Sequence, residues 1–355
     1  MNKNILVTGG AGFIGSHFIK RISKSSFNQI VCVDKLTYAG NMKNLESGIS
    51  RRYDFFQEDI NNILMKQIIK DFEIDIVVNF AAETHVDRSI KDPKAFLETD
   101  VMGLFNLVQC CIKQKIKKFV HVSTDEVYGS IEEYDEEDPL SRVVKFTEAY
   151  ENFPLNPTSP YSGSKACADL LLLSYYKTYG FPVVIARPCN NYGPNQYPEK
   201  LIPMAITRLI QGKKVLMHGE GKEVREWLYV GDCVRILERI MNDGKVGEIY
   251  NVGSGYRMTN EGIIKKVIEY ITGVNDFLSD PYYDYIEKVS NRPGNDSRYA
   301  INSEKIKEAF RDGIGRVPFS IGLQETIEWY RANKDHFGEV NLDDNLHIEG
   351  EGYLR

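Results

Sequence analysis

The sequence predicts an α/β protein: a doubly wound parallel sheet with helices on both faces and a smaller C-terminal lobe. Three observations predict it. Short apolar runs alternate with amphipathic stretches through the first two thirds of the chain, the signature of βαβ units. A glycine-rich loop joins the first strand to the first helix. After about Gly193 the alternation stops, and Pro194, Pro198 and Pro203 punctuate a loop. A chain of 355 residues has room for both parts. The expected division is 1–190 and 191–355, interleaved, because no linker composition marks the boundary.

The expected strands are Asn4–Thr8, Gln29–Asp34, Tyr53–Gln57, Ile74–Phe80, Lys118–Ser123 and Pro182–Arg187. Helical stretches at Ile14–Ser23, Ile63–Asp71, Pro93–Gln114 and Ser159–Tyr179 alternate with them. Strand twist makes the crossovers right-handed. The 50 acidic and 44 basic residues leave a formal charge of −6, which argues against a general nucleic-acid binder. A local basic pocket for a small phosphorylated ligand remains compatible with that charge. Cys32, Cys110, Cys111, Cys167, Cys189 and Cys233 contain no C-x-x-C pair and no His at zinc-ligand spacing. They read as core thiols in a reducing compartment, and no metal is expected. The N-terminal apolar run is too short for a signal core, and no uncharged run reaches membrane-helix length. The expectation is a cytoplasmic protein with no membrane partner. The acidic run Ile131–Asp138 reads as a solvated surface loop.

Residues 4–16 read N-I-L-V-T-G-G-A-G-F-I-G-S, a strand running into Gly9, Gly12 and Gly15 and then into a helix. Glycine lets the backbone turn tightly and approach a pyrophosphate, which then faces the free N–H groups of the helix start. Asp34 ends the second strand. An acid there accepts hydrogen bonds from both ribose hydroxyls of NAD and repels the extra phosphate of NADP. The loop and the acid together identify a Rossmann-type cofactor site that prefers NAD, although Lys35 lies beside the acid. Asp59, after the third strand, reads as a cap for the helix near Ile63 and as a contact to the adenine amino group, two roles that are compatible.

Tyr161 and Lys165 lie four apart behind Ser159–Pro160, a helix start, so both side chains share one face. A phenol near pKa 10 is a poor base at neutral pH; a neighbouring ammonium favours the phenolate. Tyr161 is therefore a candidate base for a hydroxyl being oxidised. The strand at Lys118–Ser123 runs into Thr124, Asp125 and Glu126, at the carboxyl end where open α/β sheets bind ligands. Adjacent carboxylates repel, so one should hold its proton more tightly. A protonated acid beside an ionised base is what an elimination needs, whereas an isolated T-D-E would read as a turn or helix cap.

The chain resembles the extended short-chain dehydrogenase/reductases, and within them the nucleotide-sugar 4,6-dehydratases. The matching segments include T-G-G-A-G-F-I-G-S (8–16), D-K-L-T-Y-A-G-N (34–41), N-F-A-A-E-T-H-V-D-R-S-I (79–90) and S-T-D-E-V-Y-G (123–129). Further on come Y-S-G-S-K (161–165), R-P-C-N-N-Y-G-P (187–194), P-E-K-L-I-P (198–203), R-E-W-L-Y-V-G-D (225–232) and R-P-G-N-D-S-R-Y-A (292–300). The resemblance implies NAD-dependent dehydration of dTDP-glucose or a related nucleotide sugar to a 4-keto-6-deoxy product. It implies Tyr161, supported by Lys165, as base at the C4 hydroxyl, Thr124 at the C4 oxygen, Glu126 as base at C5 and Asp125 as acid at C6. For the cofactor it implies Gly9, Gly12, Phe13, Ile14, Gly15, Asp34, Lys35, Thr37 and Gly40. It adds Asp59, Ile60, Ala81, Ala82, Thr99 and Ser123, besides Tyr161 and Lys165. For the substrate it implies His85, Asp87, Thr124, Asn190, Glu199, Lys200, Leu201, Arg225, Asn260, Arg292 and Asn295, with Arg225 and Arg292 as diphosphate clamps.

The chain departs from the family pattern at four places: Thr84 stands where Ser is usual, Asp100 for Asn, Asn291 for Asp and Asn295 for His. The tail beyond about Lys334 matches poorly, which leaves Tyr353 unassigned. Two other functions remain in view, a nucleotide-sugar 4-epimerase and a non-catalytic NAD-binding regulator. The Asp125–Glu126 pair speaks against the epimerase, which loses no water, and the intact Tyr161/Lys165 pair with Thr124-Asp125-Glu126 speaks against the regulator, which has no need to keep them. By resemblance, the helices at Pro93–Gln114 and after Ser159 pair across a two-fold axis, implying a homodimer.

Overall fold

The computed structural model describes residues 3–25, 29–50, 52–131, 148–274, 281–310, 316–338 and 340. The acidic run from residue 132 onward and the tail bearing Tyr353 lie outside the described residues. In chain order the strands are β1 (Asn4–Thr8), β2 (Gln29–Asp34), β3 (Asp54–Gln57), β4 (Ile76–Asn79), β5 (Lys118–Val122) and β6 (Val183–Pro188). There follow β7 (Asn190–Tyr192), β8 (Val215–His218), β9 (Val224–Tyr229), β10 (Ile249–Val252), β11 (Arg257–Thr259) and β12 (Ile286–Val289). The first six fall within two residues of the expected runs.

The main sheet has seven strands in the order β10-β6-β5-β4-β1-β2-β3. Every neighbouring pair is parallel. Its apolar side chains alternate between two layers: Ile5 and Val7 join one core, Leu6 the other. Burial of each such side chain contributes about 1.5–3 kcal/mol, which is why the strands read as continuous apolar runs. The strand order reverses direction between β1 and β4, and that switch point opens a crevice at the carboxyl ends of the strands.

β10 is missing from the expected strands. It is four residues long, bracketed by Gly247 and Gly253, and too short to show a period. It comes from the second half of the chain, as does the helix Val230–Asp243, which packs on the helix Phe13–Ile22. The later part of the chain thus returns to the first sheet. The remaining strands form a three-stranded sheet, β11-β9-β7, and a two-stranded sheet, β12-β8. They share a separate apolar core with the helices Leu201–Ile210, Asn260–Thr272 and Phe319–Ala332.

Two helices position the site. Pro160–Tyr179 opens with a capping box, Ser159 and Ser162 bonding each other's backbone N–H, and ends on left-handed Gly180. The helical stretch Pro93–Gln114 widens into a π-type turn across Leu97–Gly103, which carries Thr99 and Asp100. By length and composition this stretch could cross a membrane. One face of it, including Phe96, Leu104, Leu107 and Cys111, is nevertheless buried in the protein. Leu97, Met102 and Phe105 on this stretch remain exposed, as do Leu170, Tyr176 and Tyr179 on the other helix. All six cysteines are free; five are buried, but Cys167 is exposed, so it is not the core thiol expected.

Candidate active site

A cavity of about 410 Å³ opens at the switch point and runs from the glycine loop to the smaller sheets. It is lined by every residue singled out above for cofactor, substrate or catalysis except Asp125. At its floor Gly9 takes φ +67°, and a Cβ there would lie 2.6 Å from the Ala81 nitrogen. At Gly15 a Cβ would collide with the Gly9 carbonyl. The loop is therefore a backbone cradle open to a pyrophosphate, as a dinucleotide requires. Asp34 is held at the strand end by the N–H groups of Ala11 (2.9 Å) and Leu36 (2.8 Å). Burial raises its pKa, and these N–H groups oppose the rise. A carboxylate has about four acceptor sites, so two ribose hydroxyls can still be taken.

Lys35 does not offer a free cation for a phosphate. Its Nζ lies 2.7 Å from Asp59 Oδ2. Burial raises the pKa of Asp59, but the bonds from Lys35 and the Asn61 N–H outweigh it and bring the carboxyl below its usual value. The nearby helix is Leu64–Asp71, entered at Ile63 with no side-chain cap. Asp59 instead accepts the Asn61 N–H at 2.8 Å in a turn, so the helix-cap alternative is not what the structure shows.

The catalytic candidates meet where β5 ends. Thr124 is extended, accepts the Glu126 N–H at 3.2 Å and opens the short turn Asp125–Tyr128. Its hydroxyl donates to Asp125 Oδ1 at 3.4 Å. Asp125 is 2% exposed, and its Oδ2 has no hydrogen-bond partner among the described residues. Burial, then the charges of Glu126 and Glu226, raise its pKa well above the carboxylate range. Glu126 faces the cavity; burial raises its pKa too, while Arg292, Lys200 and Arg225 pull it down. Both adjacent acids are thus shifted upward, Asp125 by burial and neighbouring carboxylates, Glu126 by burial against the pull of three cations.

Tyr161 packs edge-on against Phe96, with 6.2 Å between ring centroids. Lys165 Nζ donates to the Val122 carbonyl at 2.9 Å. The expected lowering of the phenol by this ammonium is outweighed. Burial raises the Tyr161 pKa, Glu126, Asp100 and Asp125 add to the rise, and Thr124 opposes it. Burial lowers Lys165, while Asp100 and Asp169 favour its cation. Asp100, one of the departures from the family pattern, accepts the Glu83 N–H (2.9 Å) and the Ser164 hydroxyl (2.7 Å). Burial raises its pKa to about 6.

Across the cavity, Arg225 is buried, its guanidinium 4.3 Å from the centre of the Tyr299 ring. It donates to Asn295 Oδ1 at 3.1 Å, and Asn295 Nδ2 donates to Glu223 at 3.0 Å. Asn295, in place of a cationic histidine, thus acts here as a neutral bridge. Arg292 reaches Asp87 at 3.4 Å. His85 accepts the Arg88 N–H on Nδ1, which leaves Nε2 facing Asp87 (3.8 Å) and Glu199 (3.9 Å). Burial, then Lys200 and Arg292, hold the ring neutral. Glu199 also accepts the Tyr38 hydroxyl at 2.8 Å.

Residues 6–311 match the family model described as GDP-mannose 4,6 dehydratase. A dTDP-glucose 4,6-dehydratase of Shigella flexneri is 41% identical over 93% of this chain and 93% of its own length. This chain belongs to the nucleotide-sugar 4,6-dehydratases. A dTDP-glucose 4,6-dehydratase from Streptomyces venezuelae, solved with NAD bound, superposes on this dehydratase with a TM-score of 0.84. It is 38% identical, over 93% of this chain and 98% of that one. The fold is shared more widely: a UDP-glucose 4-epimerase from Thermotoga maritima, solved with UDP-glucose, gives a TM-score of 0.80 at 28% identity. That match covers 93% of this chain and 99% of the epimerase.

Several residues of the dehydratase cavity escaped sequence reasoning. Trp227 is 5% exposed, and its indole N–H has no hydrogen-bond partner among the described residues. The signal was available: Trp227 sits two residues after Arg225 on β9, hence on the same face. Met204 lies one helical turn after Leu201. Glu83 stands inside the quoted segment 79–90 and lines the cofactor side. His218 and Leu216, at the end of β8, carry no motif that marks them.

Proposed function

We propose that this chain dehydrates dTDP-glucose to dTDP-4-keto-6-deoxy-glucose, and that the side chains assembled above do the work. The observation that carries this reading is the pair Asp125–Glu126, an enclosed acid beside a carboxylate that faces the cavity among cations, at the strand end next to Tyr161. NAD, which the glycine cradle and Asp34 fit, supplies a hydride acceptor for C4 and returns the hydride to C6. Tyr161 takes the C4 hydroxyl proton, and Thr124 bonds the C4 oxygen. The resulting ketone acidifies C5, and Glu126 removes that proton. Asp125 protonates the departing C6 oxygen as water, and Glu126 gives its proton back to C5. Arg292, Lys200 and Arg225 favour the ionised form of Glu126 against the rise that burial imposes. Arg225 and Arg292 hold the diphosphate, with Asn190, Lys200 and Asn260 completing the nucleotide-sugar rim. Residues 1–190 carry the cofactor and catalysis, and 191–355 mainly the nucleotide sugar.

The exposed apolar residues on Pro93–Gln114 and Pro160–Tyr179 support a homodimer through these two helices. The free thiols support a cytoplasmic setting. Mass spectrometry of the enzyme with dTDP-glucose and, separately, UDP-glucose tests the reading. Loss of one water from dTDP-glucose, abolished in Glu126→Gln, supports it. Water loss mainly from UDP-glucose keeps the chemistry and replaces the substrate. An unchanged mass with a new epimer by NMR overturns it.

A further inference from the structure

The proposed reaction makes no net change in its cofactor. The hydride that leaves C4 must come back to C6 of the same molecule. A cofactor lost between these steps would strand a 4-keto sugar on a chain with no hydride to return. The protein therefore gains from a device that holds the dinucleotide through the whole cycle. The glycine cradle and Asp34 grip it only from the ends of β1 and β2.

The loop after β2 makes a second connection. Thr37, Ala39 and Gly40 on this loop line the cavity, and so do Tyr197 and Glu199 from the second half of the chain. Tyr38 joins the two walls. Its hydroxyl donates to Glu199 Oε1 at 2.8 Å, and its ring packs edge-on against Tyr197 with 5.3 Å between centroids. Arg88 completes the junction: its Nε donates to Glu199 Oε2 at 3.3 Å, and its guanidinium lies 3.7 Å from the centre of the Tyr38 ring. Both oxygens of Glu199 are thus engaged, and its side chain is only 5% exposed. The far end of the loop is pinned as well, because the Asn41 N–H donates to the Ala11 carbonyl at 3.1 Å and Asn41 Nδ2 to the His336 carbonyl at 3.0 Å. Tyr38 and Arg88 do not themselves line the cavity, so they act on a ligand inside it only through this junction.

We propose that Tyr38, Arg88 and Glu199 form a clasp across the cavity that keeps NAD in place through the catalytic cycle and opens only for cofactor exchange. Tyr38 and Arg88 are positioning residues, and Glu199 is the post to which both are tied. The clasp gives Glu199 a role besides the substrate contact that the resemblance implies. The need for retention rests on the dehydratase reading, but the clasp itself can be tested without substrate.

The test is exchange of bound NAD for isotopically labelled NAD in the purified holoenzyme, read by mass spectrometry after acid release. Tyr38→Phe deletes only the hydroxyl, and Arg88→Met keeps the stem and removes the charge. Each should speed exchange by roughly tenfold or more, the effect of losing a hydrogen bond to a charged group. The two effects should not multiply in the double variant, because both act through Glu199. KM for dTDP-glucose should change by less than about twofold in either single variant, since neither residue faces the cavity. During turnover NADH should stay with the wild type and accumulate in the ultrafiltrate of Tyr38→Phe. Exchange at the wild-type rate in both variants would overturn the clasp. A raised KM with unchanged exchange would overturn it too, returning Glu199 to the substrate, as would effects that multiply in the double variant. Water loss by the wild type checks the dehydratase reading separately.

Discussion

On the cofactor side of the cavity, shape comes from backbone: a left-handed Gly9, a Gly15 packed on the Gly9 carbonyl, and Asp34 held by two N–H groups. On the substrate side it comes from side chains that reach in from distant segments: His85, Glu199, Arg225 and Arg292. A backbone cradle tolerates no added Cβ, but its residues are close in sequence and easy to recognise. A side-chain rim can change one contact at a time, as Asn295 shows by bridging Arg225 to Glu223. The carboxylates between the two sides are governed by a third factor, burial, which sets who carries a proton.

Four substitutions can break or sharpen that contrast. Glu126→Gln removes the base for C5 and should lower turnover by roughly 10²–10⁴-fold, read as product by mass spectrometry, with the fold unchanged by circular dichroism. Gly9→Ala forces a side chain into a left-handed position against Ala81, with strain of roughly 1–3 kcal/mol. The purified protein should retain less than about a tenth of the wild-type NAD, measured after acid release, because the cradle must move. Arg225→Ala should raise KM roughly 10–100-fold with a smaller change in kcat, the expected loss of charge-assisted bonds of about 1.5–3 kcal/mol. An equal fall in kcat would place Arg225 in the chemistry rather than in the diphosphate clamp.

The smallest effect belongs to Asp100. Its folded pKa of about 6 lies above the usual carboxylate value because it is buried. The native state therefore binds more protons than the unfolded chain between about pH 4 and 6, and Asp100 weakens stability as pH rises through that range. Asp100→Asn should raise unfolding free energy by about 1–3 kcal/mol at pH 7.5 and by little below about pH 4, measured by denaturant titration at both pH values.

The first six strands and both site helices were legible because their apolar periods run long enough to read. Strand β10 was not, since four residues between glycines show no period. The catalytic cluster was legible through spacing: Tyr161 and Lys165 share a helix face, and Thr124-Asp125-Glu126 follows a strand. The protonation of that cluster was only half legible. Repulsion between neighbours pointed to one acid that holds its proton more tightly; burial raises both, with Glu126 opposed by three cations. The phenol was expected to be lowered by Lys165, but burial dominates and the ammonium is turned to the Val122 carbonyl. Trp227 lies inside the matched segment 225–232 but was given no role, although strand alternation places it on the same face as Arg225.

Internal return of the hydride, with water lost in between, is the chemistry on which every assigned role depends. It can be followed directly with dTDP-glucose carrying deuterium at C4. The enzyme should give a product that has lost one water and carries the deuterium at C6. Deuterium still at C4, in a molecule of unchanged mass, would contradict the dehydratase assignment.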